Sequence, residues 1–109
     1  MKHLIGNTDF KGLLGELIDK AISGNYYDVD YIMKHLTCES DFATTRFVDF
    51  ALSLVSDQKG IDRIEYYLFN GTQIQRNYAC LYLNRNTIFE PVLKAFDLGL
   101  IDEIQAYSR

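Results

Sequence analysis

The sequence predicts an all-α fold, and three observations carry that reading. Apolar residues recur at i, i+3, i+4 and i+7 along most of the chain, the period of an amphipathic helix rather than a strand. Helix breakers are scarce: proline occurs once, at Pro91, and the seven glycines are scattered, which disfavours a loop-rich β architecture. Side chains that cap helix ends stand between the periodic stretches. At 109 residues the chain has the length of one domain, with a hydrophobic core that needs no disulfide or metal staple.

About seven short helices follow in order. Thr8 N-caps a first helix carrying Phe10, Leu13, Leu14, Leu17, Ile18 and Ala21, and Gly24 stops it. A second runs from Tyr26 to about Cys38, with Val29, Ile32, Met33 and Leu36 as its apolar stripe; Asp28 and Asp30 near its start suit the helix dipole. Ser40 N-caps a third, through about Val55, with Phe42, Phe47, Val48, Phe50, Ala51, Leu52, Leu54 and Val55 as its apolar set. The turn Ser56–Gly60 starts a fourth, which carries Ile61, Ile64 and Leu68 and closes at Asn70-Gly71. Thr72 and Gln75 have the spacing of a capping box and open a fifth helix that reaches about Arg85. Thr87 and Glu90 repeat that spacing at the head of a sixth, with Pro91 in its first turn, where a missing N–H costs little, and Gly99 at its end. A seventh begins near Ile101 and continues to the C-terminus. The fifth helix is apolar nearly all round and is expected to be central, with Ala79 as a packing site. Short links imply antiparallel neighbours.

A shift of 28 residues superimposes Ala51 on Ala79, Val55 on Leu83, Ile61 on Phe89, Ile64 on Val92, Leu68 on Phe96 and Gly71 on Gly99. Each unit of this weak repeat is a helix pair. The segment Gln75-Arg76-Asn77-Tyr78-Ala79-Cys80-Leu81-Tyr82-Leu83 resembles the short HEAT-like repeat of phycobilisome-lyase-like proteins, in which valine-arginine precedes two small residues and a leucine. Arg76, Ala79, Cys80 and Leu83 fit; Gln75 departs from the valine, and in the preceding unit Val48 stands where the arginine belongs. The resemblance covers about residues 41–109, leaving 1–40 as separate N-terminal helices. It implies a right-handed α-solenoid, against which an irregular helical bundle stays open.

Charge and composition exclude several function classes. The formal charge is −4, and neither half of the chain is basic, so the electrostatic footprint of a nucleic-acid binder is missing. Met1–Asn7 lacks the apolar core of a secretory signal, and no apolar run has the length of a membrane span. Cys38 and Cys80 each sit in an apolar stretch and read as two buried free thiols of a reducing, cytoplasmic protein; a disulfide is open but not suggested by their spacing. His35, Cys38 and Glu39 would share adjacent parts of a helix, but a metal site needs further converging ligands and a cysteine nucleophile needs an oriented base. His3 lies apart from them. Gly12-Leu13-Leu14-Gly15 lacks the lysine of a phosphate loop. No cofactor, metal or catalytic residue is expected.

Eight tyrosines are the most unusual feature, and tyrosine is enriched at binding hot spots. On the fourth helix, Arg63, Tyr66 and Asn70 point away from the core stripe; on the sixth, Glu90, Lys94 and Asp97 do the same. The HEAT-like resemblance implies that these six share one surface. They form the candidate protein-binding site, with Tyr66 exposed and Arg63 available to an acidic or aromatic group of a partner. The leading function is a non-enzymatic protein–protein interaction module: a small helical adaptor, inhibitor or regulatory subunit. The alternative is a nucleic-acid-binding HEAT-like protein using Arg63, Arg76, Arg85 and Lys94, against which the acidic balance argues. An enzyme completed only by a partner is a third class. The identity of the partner and the oligomeric state stay open.

Overall fold

The computed structural model describes residues 12–108. Thr8 as a cap, Phe10 in the core, His3 and the leader reading of the N-terminus lie outside the described residues. Those residues form seven helices and no strand: α1 Gly12–Ser23, α2 Tyr26–Met33, α3 Phe42–Leu52, α4 Gln58–Asn70, α5 Gln73–Arg85, α6 Phe89–Asp97 and α7 Glu103–Ala106. No helix among them is long and apolar enough to cross a membrane. The chain divides into two compact units, one up to Arg63 and one from Ile64; the division falls inside α4.

In the first unit α1, α2 and α3 pack on one another. Leu17, Ile18, Val29, Ile32, Met33 and Val48 are fully buried, each worth about 1.5–3 kcal/mol of transfer free energy. Gly24 adopts φ +62° and donates its amide to the Lys20 carbonyl at 2.8 Å, which closes α1. Asn25 then opens α2 directly. Its side chain accepts from the Tyr27 and Asp28 amides at 3.0 and 3.1 Å, and Asp28 accepts from the Asn25 amide at 3.2 Å. The start of α4 presses against this link: Gly60 leaves no room for a Cβ beside the Gly24 carbonyl.

Two boundaries differ from the sequence reading here. α2 stops at Met33 rather than Cys38, because the chain turns through Lys34–Leu36 and then forms a hydrogen-bonded turn over Thr37–Ser40. Ser40 does not cap α3. Its hydroxyl is used inside that turn, donating to the His35 carbonyl at 2.6 Å and accepting the Thr37 amide at 2.8 Å. Asp41 caps α3 instead, taking the Thr44 amide at 2.8 Å, and hydrogen bonds from Thr44 hold its carboxyl below the ordinary range. Phe42, assigned to the core from periodicity, is 74% exposed, with Arg46 5.4 Å from its ring centroid.

In the second unit α5, α6 and α7 pack on one another. Ile64 and Leu68 of α4, Ala79 and Leu83 of α5, Val92 and Ala106 are fully buried. The Thr72–Gln75 capping box forms as expected, with bonds of 2.9 and 3.3 Å. Of the positions related by 28 residues, Ala51 and Ala79, Val55 and Leu83, and Ile64 and Val92 are buried in both copies, while Leu68 is buried and Phe96 only partly so. Helix α7 is one turn long. Ile101 is the buried residue before it, and Asp102 with Gln105 caps it.

Candidate functional site

The expected box between Thr87 and Glu90 does not form. Thr87 takes the left-handed conformation, φ +58°, because it closes α5: its amide reaches the Asn84 carbonyl at 3.1 Å and the next amide, of Ile88, reaches Leu83 at 2.8 Å. This is the pattern that usually places glycine at such a position. The Thr87 hydroxyl turns back to the Asn86 carbonyl at 2.6 Å. Ile88 becomes the residue before α6, with no side-chain cap.

That lead-in and the second half of α4 enclose a groove of about 940 Å³. Glu65 and Phe69 of α4 form one wall; Thr87, Ile88, Phe89, Glu90, Pro91 and Lys94 form the other. Phe69, Ile88, Phe89 and Pro91 are half-buried and supply its apolar lining, whereas Glu90 and Lys94 are exposed. The side chains of Glu65, Glu90 and Lys94 make no hydrogen bond or ion pair among the described residues. The size suits a few side chains of a ligand.

Of the six residues singled out from sequence, the groove brings together Glu90 and Lys94. Tyr66 is 44% exposed, as expected, and its ring stands edge-on to Tyr67 at 5.5 Å. Asn70 donates its side-chain amide to the Tyr66 carbonyl at 3.1 Å, an end-of-helix contact. Asp97 is exposed near the end of α6. None of these three lines the groove. Arg63, expected to await a partner, is engaged within its own unit: Nε and one terminal nitrogen donate to the Asp30 carboxylate at 2.7 and 3.2 Å, and the guanidinium lies 5.9 Å from the Tyr26 ring centroid. Glu65 and Phe69, which line the groove, are not among the sequence candidates, because those are the residues opposite the core stripe. The groove instead lies on the flank of that stripe, one residue, or about 100°, around α4. The available signal was an aromatic, Phe69, directly beside Leu68, matched by Phe89 and Pro91 beside Ile88.

The remaining candidates are structural. Arg76, the arginine of the repeat resemblance, donates to the Leu68 carbonyl at 2.9 Å and the Gly71 carbonyl at 3.2 Å, and so satisfies the end of α4. His35, Cys38 and Glu39 do not share a helix, since α2 has ended; His35 Nδ1 donates to the Tyr31 carbonyl at 2.9 Å. Cys38, expected to be buried, is exposed because it lies in the turn beyond α2, whereas Cys80 is buried. Tyr31 lies under Lys34, 4.2 Å from its ring centroid. Sequence reasoning also passed over Asn84. It is 3% exposed, and its Nδ2 donates to the Gln105 carbonyl at 2.9 Å. The Cys80 thiol donates to the same carbonyl at 3.4 Å. Gln105 in turn donates to Asn77 Oδ1 at 2.6 Å. This cluster ties α7 to α5. Burial, and secondarily the charge of Asp102, push the Cys80 thiol above its ordinary range, which keeps it protonated and unreactive. No group of three or more His, Cys, Asp or Glu among the described residues is placed to hold a metal ion. No protein-family model, curated protein or solved structure matches this chain.

Proposed function

We propose that this chain is a non-enzymatic protein-interaction module that receives a segment of a partner protein in the groove between α4 and α6. The observation that carries the reading is the composition of that groove: aromatic lining from Phe69 and Phe89 together with charged side chains, Glu65, Glu90 and Lys94, that have no partner among the described residues. Surface charges are ordinarily solvated without consequence, but charges together with a half-buried aromatic lining provide both the apolar area and the polar selectivity that binding sites combine. The six-residue surface read from sequence contributes Glu90 and Lys94 to this site. The recurrence of buried Ala51 and Ala79 and of Ile64 and Val92 supports reading the helix pairs as a HEAT-like repeat, an architecture that serves as a binding scaffold. Two of the cations that a nucleic-acid reading would use, Arg63 and Arg76, are bound within the chain, which favours a protein partner.

The test blocks the groove without altering its charge. Thr87 is exposed on the groove wall, so Thr87→Cys in a Cys38→Ser background accepts a bulky maleimide there, while buried Cys80 stays unlabelled. Partners captured by the unlabelled protein from its own host should be lost after labelling. Capture of the same proteins before and after labelling, or of none, removes the groove from this account.

A further inference from the structure

We infer that the segment received by the groove presents an arginine or lysine beside an apolar side chain. This rests on the docking reading above and specifies its ligand. Glu65 and Glu90 come from two different helices to one groove, and neither is neutralised by a hydrogen bond or ion pair among the described residues. Against them stands one cation, Lys94, so the lining carries a formal charge of −1 (two carboxylates, one ammonium). The chain as a whole carries −4, which steers a basic partner toward the surface and repels an acidic one. The aromatic lining, Phe69 and Phe89, suits the same ligand. A guanidinium stacks on a phenylalanine face while donating to a carboxylate at its edge, and its neighbour's apolar side chain covers the second ring. An acidic segment would place its carboxylates beside Glu65 and Glu90, where like charges repel. Glu90 and Lys94 are one turn apart on α6, so the groove is negative at one end of that pair and positive at the other. On the α6 side the basic residue of the segment then lies toward Glu90, and any carboxylate toward Lys94.

A random short-peptide library displayed on phage, selected on the whole protein, tests this. Recovered peptides are then measured by fluorescence anisotropy against the unmodified protein, the Glu65→Gln/Glu90→Gln variant and the groove-blocked Thr87→Cys conjugate. The two glutamines preserve shape at positions outside the core, and thermal melting confirms that the variant is folded. The expected result is enrichment of Arg or Lys next to an apolar residue, with affinity about tenfold or more weaker on the glutamine variant. Binding should also weaken with added salt and vanish on the conjugate. Peptides lost on the conjugate that lack a basic residue, or that bind the glutamine variant equally well, overturn this inference and leave the docking reading intact. Peptides indifferent to the conjugate, or no enrichment at all, overturn both.

Discussion

Gly60 offers a test of packing in which two effects have opposite signs. It is a buried residue in the first turn of α4 with an ordinary helical backbone. In an open helix, Gly→Ala would stabilise the protein by about 1 kcal/mol, through propensity and the entropy of the unfolded chain. Here an added Cβ would overlap the Gly24 carbonyl oxygen, and it would lie 2.7 Å from Val55 Cγ1 and 3.1 Å from the Gly24 carbonyl carbon. The Val55 methyl can rotate away. The Gly24 carbonyl cannot, because Gly24 closes α1 through its bond to Lys20 and Asn25 at once caps α2. Relief therefore requires α4 to move off the α1–α2 link. Overpacking of this kind costs about 1–3 kcal/mol and, where backbone must shift, outweighs the propensity gain. Gly60→Ala should lose about 2 kcal/mol in urea unfolding followed by far-ultraviolet circular dichroism. That corresponds to a fall in Tm of roughly 10 °C for a domain of this size. Adding Val55→Ala should not rescue it, since the carbonyl remains. A variant as stable as the parent, or more stable, would refute the close approach of α4 to that link.

Other substitutions probe the remaining elements. Thr87→Gly should raise stability by about 1 kcal/mol in the same assay, since a β-branched residue at φ +58° is strained and glycine is not; a loss would show that the hydroxyl bond to Asn86 outweighs the strain. Ala79→Asp places an unpaired charge at a fully buried position of α5 and should cost on the order of several kcal/mol, while unchanged urea unfolding would show that this face of α5 is not packed. A disulfide thiol reagent should modify exposed Cys38 at once and buried Cys80 only on unfolding; two fast thiols would contradict the packing of α7 on α5. Because the Cys80 pKa is raised in the folded state, its contribution to stability is complete below the ordinary thiol range and is lost as pH climbs through the raised value.

Helix ends were legible where the chemistry that sets them is local. Thr72 with Gln75, Asn70-Gly71 and Gly99 involve only neighbours in sequence, and all three end or begin helices in the structure. The misread ends depended on competition. Ser40 and Thr87 are both good capping residues, yet each hydroxyl is used by a preceding carbonyl, His35 and Asn86 respectively. Nothing in the spacing distinguishes a hydroxyl that caps forward from one that turns back. Periodicity identified Leu17, Ile32, Val48, Ile64 and Leu83 as core but also admitted Phe42, because the pattern marks a face of a helix without saying how far along it the packing extends. The same limit bears on the groove. Glu90 and Lys94 were found from α6 alone, whereas Glu65 and Phe69 join them only through the placement of α4 beside the lead-in to α6. Arg63 was read as available because Asp30, its partner, is 33 residues away.

The proposed docking role of the groove is tested most directly by mapping backbone-amide chemical shifts as the tightest recovered peptide is titrated into the protein. The account predicts the largest changes at Glu65, Phe69, Ile88, Phe89 and Glu90, with Tyr66, Asn70 and Asp97 moving less. Changes concentrated on Tyr66, Asn70 and Asp97, with the groove residues unmoved, would contradict it.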